Sequence, residues 1–103
     1  IVYTNKNDGD NYVFFGPSCV LTNDINPRGM HSKNGEYIKT ILNKGVTLGA
    51  NCTIVCGNTI GEHSLIGSGA VICKNVEPYS IMVGNPGKKI GTIDETGNRT
   101  IFK

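Results

Sequence analysis

From Leu42 the chain advances in blocks of six residues: LNKGVT, LGANCT, IVCGNT, IGEHSL, IGSGAV and ICKNVE. The first position is always a branched aliphatic: Leu42, Leu48, Ile54, Ile60, Ile66 and Ile72. The fifth, Val46, Cys52, Asn58, Ser64, Ala70 and Val76, is mostly small, and glycine takes the second in three blocks, as Gly49, Gly61 and Gly67. A helix repeats its apolar face every three to four residues and a half-buried strand every two, so neither yields a period of six. A short strand followed by a corner does. The aliphatic faces inward, the small residue lets the chain turn, and glycine supplies backbone angles that other residues avoid. Three blocks then make one triangular coil of eighteen residues. Neighbouring coils pair as parallel strands, each burying the one before it.

The pattern continues more weakly upstream in FGPSCV and LTNDIN, and before them in GDNYVF, where Gly9 takes the aliphatic place. Between Asn26 and Leu42 it breaks. Asn-Pro, Arg-Gly and Asn-Gly in that stretch predict a loop thrown outward from a corner, and loops on a rigid scaffold often carry function. After Ile72 the repeat ends in PYSIMVGNPGKKIG, and KIGTIDETGNRTIFK reads as two short strands around a Thr-Gly-Asn turn. Such a hairpin would protect the open C-terminal edge of the solenoid. The expected organisation is one all-β domain over 1–103, with repeats at 9–26 and 42–77, a loop at 27–41 and a C-terminal closure at 78–103. Because it opens on Ile1 rather than Met, the chain is expected to be the C-terminal part of a longer protein.

Fourteen glycines and no tryptophan suit tight corners around a narrow interior. A net charge of +2 gives no footprint for nucleic acid or a membrane surface. No apolar run approaches the roughly 20 residues that cross a bilayer. Cys19, Cys52, Cys56 and Cys73 form no CxxC pair, so they are expected to be structural and reduced, with no zinc site and a cytoplasmic location.

The run IGEHSLIGSGAVICKNV, the closing VGNPGKKI and the loop INPRGMHSKNGEY together resemble the hexapeptide-repeat acyltransferases, over roughly residues 13–91. The resemblance implies left-handed winding, against the usual right-handed crossover between parallel strands. The expected fold class is thus all-β, a left-handed parallel β-helix with one excursion loop and a short C-terminal strand hairpin. The resemblance also implies acetyl-CoA as cosubstrate, no metal, and a homotrimer with sites between subunits. Within the family, FFGPSCVLTNDINPR and TIVCGNTIGE are most similar to N-acetyltransferases of nucleotide-linked amino sugars, which serve O-antigen and related glycan synthesis. The sugar and antibiotic O-acetyltransferases carry a His-Pro in this loop, whose His is their general base. Here the dipeptide is Asn26-Pro27. An alcohol needs that base, whereas an amino-sugar amine in its free-base form already attacks a thioester, and positioning supplies much of the acceleration.

The resemblance also assigns roles. Asn23 and Asn26 flank the start of the loop, where an amide can hydrogen-bond the amine or the oxyanion, although asparagine is equally at home as a turn residue. Ala50 and Ser68, third in blocks one coil apart, match the line where the family lays the pantetheine arm on backbone amides. Lys74 and Lys88 match its basic positions near the CoA phosphates, with Lys89 as a neighbour able to substitute. Arg28, His31 and Lys33 are the loop's candidates for the acceptor, the two cations for its phosphates. His63, beside Glu62, is expected on the outer face as a solvated side chain. Other readings are an O-acetyltransferase of a sugar or antibiotic, a non-catalytic assembly solenoid, and a fragment inactive for want of upstream coils. A β-helix carbonic anhydrase needs three His ligands, and the chain has two His.

Overall fold

Two-residue strands joined by tight corners build most of the molecule, as a period of six requires. The computed structural model describes residues 2–4, 12–30 and 37–103, and among them there are twelve strands and no helix. The first coil holds β1 (Val2–Thr4), β2 (Phe14–Phe15) and β3 (Val20–Leu21). The second holds β4 (Thr40–Leu42), β5 (Thr47–Leu48) and β6 (Thr53–Ile54), and the third β7 (Thr59–Ile60), β8 (Leu65–Ile66) and β9 (Val71–Ile72). Next come β10 (Ser80–Val83), β11 (Lys88–Ile93) and β12 (Arg99–Ile101). Parallel stacking gives three faces: β1-β4-β7, β2-β5-β8-β10 and β3-β6-β9. In the regular coils the partners lie eighteen apart, as Leu42 with Ile60, Leu48 with Ile66 and Ile54 with Ile72. The winding is left-handed, the solenoid form of the hexapeptide repeat.

All six first-position aliphatics are buried, five of them completely and Ile72 to within 1%. They run as columns down the interior with the fifth-position residues Val46, Cys52, Ala70 and Val76. Burying each large aliphatic contributes about 1.5–3 kcal/mol. The first coil joins this core less fully: Leu21 packs against it partly buried, and Phe15, in register with Leu48, stays 49% exposed. Gly9, placed by sequence in the preceding aliphatic position, lies outside the described residues. The strand that pairs with Thr40–Leu42 is Val2–Thr4.

The corners differ from the sequence expectation. Left-handed backbone occurs at the fourth position of most blocks, not the second: Tyr12, Ser18, Gly45, Asn51, Gly57, His63 and Gly69, with Tyr79 fourth when counted from Val76, all have φ between 46° and 86°. The second-position glycines serve close approach instead. A Cβ on Gly49 would stand 2.6 Å from the Ser68 nitrogen of the next coil.

The last coil is short. Val76, fifth in its block by sequence, pairs with Ile60 as a first-position residue would, and Ile81 and Met82 pair with Leu65 and Ile66, sixteen residues apart. The Asn75 side-chain carbonyl accepts the Thr59 N–H (2.8 Å), replacing the backbone acceptor that the missing residues would supply. β11 then pairs antiparallel with β10, and β12 with β11, extending one face sideways. The turn before β11 covers the edge of β9, with Val71 N–H donating to Gly84 O (2.9 Å) and Gly87 N–H to Val71 O (2.8 Å). Asp94 closes the terminal hairpin, its Oδ1 accepting from Thr96 N–H, Thr96 Oγ1 and Asn98 N–H at 2.7–3.0 Å. The Thr96 hydroxyl and then the Asn98 amide hold its carboxyl below the ordinary value of 3.8.

Candidate functional site

The excursion leaves the solenoid after β3 and returns at β4, at the corner between the third and first faces. Leu21 pairs with Ile54, thirty-three residues on, so fifteen residues beyond one coil are expelled there. Its neck is pinned. Ile38 N–H donates to the Asn23 carbonyl (2.9 Å), Gly57 N–H to Lys39 O (3.1 Å), and Cys56 N–H to Thr22 Oγ1 (2.9 Å). Asn23 therefore sits at the mouth of the loop with its backbone held and its side chain exposed. Three residues on, the Asn26 N–H donates to Asp24 Oδ1 (2.9 Å), an Asx-type turn that fixes the Asn26-Pro27 step. Arg28 is exposed on the same loop, whereas His31 and Lys33 lie outside the described residues.

Ala50 and Ser68 occupy the next corner round, between the second and third faces, in adjacent coils. Ala50 O accepts Gly69 N–H (2.9 Å), and among the described residues the Ala50 and Ser68 N–H groups donate no hydrogen bond. Glycine in the preceding coil leaves room against each: a Cβ on Gly16 would stand 2.7 Å from Ala50 N, as one on Gly49 would crowd Ser68 N at 2.6 Å. The corner thus presents a line of backbone donors one strand spacing apart, about 4.8 Å.

Lys74 and Lys88, distant in sequence, come together. Both line a cleft of about 420 Å³ at the C-terminal end of the solenoid. Its apolar wall is Val76 and Met82, and its mouth also carries Glu77 and Lys89. Lys74 and Lys88 are exposed, while Lys89 Nζ lies 3.8 Å from Glu77 Oε1. Sequence reasoning missed Glu77, Ser80 and Met82 here. The signal was the shortened last coil, which brings the VEPYSIM segment under the NPGKK turn. Ser80 is fully buried and its Oγ lacks a partner among the described residues.

His63 and Tyr79 lie apart from the loop. His63 stands at the corner between the first and second faces, half-buried, against Gly45 and stacked on Tyr79 with centroids 5.4 Å apart. Burial, the Glu95 hydrogen bond (3.2 Å) and the Glu62 charge push the Tyr79 phenol up. All four cysteines are free thiols. Cys52 is pushed up to about 11 by burial and then by neighbouring Cys19. No group of three or more His, Cys, Asp or Glu among the described residues could hold a metal. Nor is any helix there long and apolar enough to cross a membrane.

Comparison with known proteins adds the following. No protein-family model matches the chain. It is 36% identical over 67 residues to the dTDP-3-amino-3,6-dideoxy-alpha-D-galactopyranose 3-N-acetyltransferase of Aneurinibacillus thermoaerophilus, covering 65% of this chain and 35% of that protein. Its fold matches AntD, an N-acyltransferase from Bacillus cereus solved with dTDP and 3-hydroxybutyryl-CoA, at a TM-score of 0.70 and 22% identity, over 82% of this chain and 50% of that one. It also matches a maltose O-acetyltransferase from Clostridium difficile 630 at a TM-score of 0.68 and 28% identity, over 82% and 46%. The chain spans about a third of the length of the Aneurinibacillus relative.

Proposed function

We propose that this chain, a member of the hexapeptide-repeat acyltransferases of the left-handed β-helix type, forms the acetyl-CoA-binding part of an N-acetyltransferase acting on a nucleotide-linked amino sugar in glycan or O-antigen synthesis. One observation carries the reading: open amides at Ala50 and Ser68 line one corner of the solenoid, and Lys74 and Lys88 share a cleft at its C-terminal end. A pantetheine arm offers amide carbonyls to the first, and the CoA phosphates offer dianionic charge to the second. The similarity to a dTDP-amino-sugar N-acetyltransferase supports the acceptor class. A cytoplasmic setting goes with this reading, since acetyl-CoA is at hand there.

In this mechanism the chain holds the reactants and moves no proton. The neutral amine attacks the thioester carbonyl, the C–S bond breaks, and the amine's proton passes to the departing sulfur or to water. Asn23 or Asn26, at the fixed neck of the loop, donates its amide N–H to the oxyanion or accepts from the amine. Arg28, His31 and Lys33 are the residues assigned to the acceptor. We further propose a homotrimer, in which the flat faces pack and the sites lie between subunits. Light scattering should give three times the protomer mass.

The likeness to maltose O-acetyltransferase favours a second reading, acetylation of an alcohol. That reaction needs a base, and His63 stacks on Tyr79 at a different corner from the loop. The test is thiol release from acetyl-CoA by the full-length protein, against nucleotide-linked amino sugars and simple sugars. Asn23→Ala or Asn26→Ala should lower turnover by about 10²–10³, the usual effect of losing an oxyanion donor. His31→Ala and His63→Ala should stay within about tenfold, below the 10²–10⁴ that a general base supplies. Loss of turnover in either His variant with acetyl-CoA still bound would make that His the base and overturn the base-free mechanism.

A further inference from the structure

Three lysines and one carboxylate meet at the mouth of the C-terminal cleft: Lys74, Lys88, Lys89 and Glu77. Lys88 and Lys89, neighbours at the start of β11, both line it. They pair with Val83 and Met82, just before a β-bulge at which Ile90 has no partner across from β10. Glu77 is placed just as definitely. The buried Ser64 hydroxyl, one coil earlier, donates to the Glu77 carbonyl (2.8 Å). The carboxylate itself is free to reach across the mouth, and its Oε1 lies 3.8 Å from Lys89 Nζ. Lys89 is the more sheltered of the pair, with 30% of its side chain exposed against 79% for Glu77.

We propose that Glu77 is a specificity-determining residue of this cleft: it holds Lys89 out of phosphate reading and leaves the task to Lys74 and Lys88. The proposal rests on the reading of the cleft as the CoA phosphate site. Two uncompensated cations match one phosphate monoester dianion. A third would favour more highly charged anions and slow the release of free CoA. The neighbouring Lys89, which sequence alone makes interchangeable with Lys88, is on this view disarmed by a residue twelve positions away.

The test is a double-mutant cycle on the full-length protein, with CoA and dephospho-CoA titrated calorimetrically at low ionic strength. An exposed ion pair of this kind corresponds to about a two- to fivefold effect on an equilibrium. Glu77→Gln should therefore tighten CoA by about that factor, less for dephospho-CoA, and the gain should shrink as salt rises. Lys88→Ala should weaken CoA in the wild-type background and do so by a smaller factor beside Glu77→Gln, where Lys89 takes over. Lys89→Ala beside Glu77→Gln should return CoA affinity to the wild-type value. Equal losses for Lys88→Ala in both backgrounds, with the preference for CoA over dephospho-CoA intact, would overturn the role of Glu77 alone. Equal affinity of the wild type for CoA and dephospho-CoA would overturn the phosphate reading of the cleft, and the proposal with it.

Discussion

Residues 42–72 and the stretch between Leu21 and Leu42 both carry large apolar side chains, which meet opposite fates. In the first, every sixth side chain is buried to within 1%. In the second, Ile25 is 59% exposed and Met30 94%. The difference is one of register. A coil of eighteen residues returns each aliphatic beneath its predecessor, so stacking buries it on both sides. Fifteen residues beyond one coil separate the paired strands there, and among the described ones the neck around Asn23 and Ile38 is bonded back. Stability therefore belongs to the period, and exposed polar chemistry is concentrated where the period is interrupted.

The largest effect expected from breaking this contrast is in the columns. Ile60→Ala should lower unfolding free energy by about 2–5 kcal/mol, as for other large-to-small core changes. Met30→Ala should stay within about 0.5 kcal/mol, as surface substitutions usually do. Urea titration of both variants checks the pair, and equal costs would end the contrast. Next come the corners. Gly49→Ala forces a Cβ against fixed backbone and should cost about 1–3 kcal/mol. Gly69→Ala, where nothing lies within 4 Å but φ is +73°, should cost only the left-handed penalty of about 1–2 kcal/mol. The reverse order would show that the left-handed angle at the fourth position outweighs the close approach at the second. The smallest effect lies in the terminal hairpin. Because Asp94 is held below its unfolded value, its contribution is present above pH 3.8 and lost as the pH falls through the lower folded value. Amide exchange of Thr96 and Asn98 should rise in acid relative to that of the coil interior, and Asp94→Asn should abolish the difference.

The repeat made the solenoid legible because a period leaves a copy of itself at every turn: Leu42 to Ile72 could be read directly as the inward column. The C-terminal hairpin was legible too, from its Thr-Gly-Asn turn. The corner position was not. Glycine at the second position and small residues at the fifth suggested the turn, while His63 and Tyr79 at the fourth disguise a left-handed backbone that packing imposes on them. The shortened last coil was hidden for a related reason, since Val76 suits both a fifth and a first position. At the site, the meeting of Lys74 with Lys88 was anticipated only as two matches to the same cofactor. Glu77, the partner of Lys89, carried no signal, because a carboxylate among lysines reads as an ordinary surface charge until the fold brings the two together. The asparagines of the loop neck rest on resemblance, and the geometry adds a held backbone at Asn23 and a fixed turn at Asn26.

The eighteen-residue register has a consequence for how such a molecule can change its length. An insertion of one whole coil leaves every residue before and after it facing as it did, and lengthens the prism by one strand spacing, about 4.8 Å. An insertion of two or five residues would turn the downstream aliphatics outward unless it were extruded at a corner. Growth of the body is thus quantised while growth of the corners is free, and the two kinds of variation need not interfere. A lineage of such chains could lengthen its barrel in whole steps and still revise the protruding loop one codon at a time.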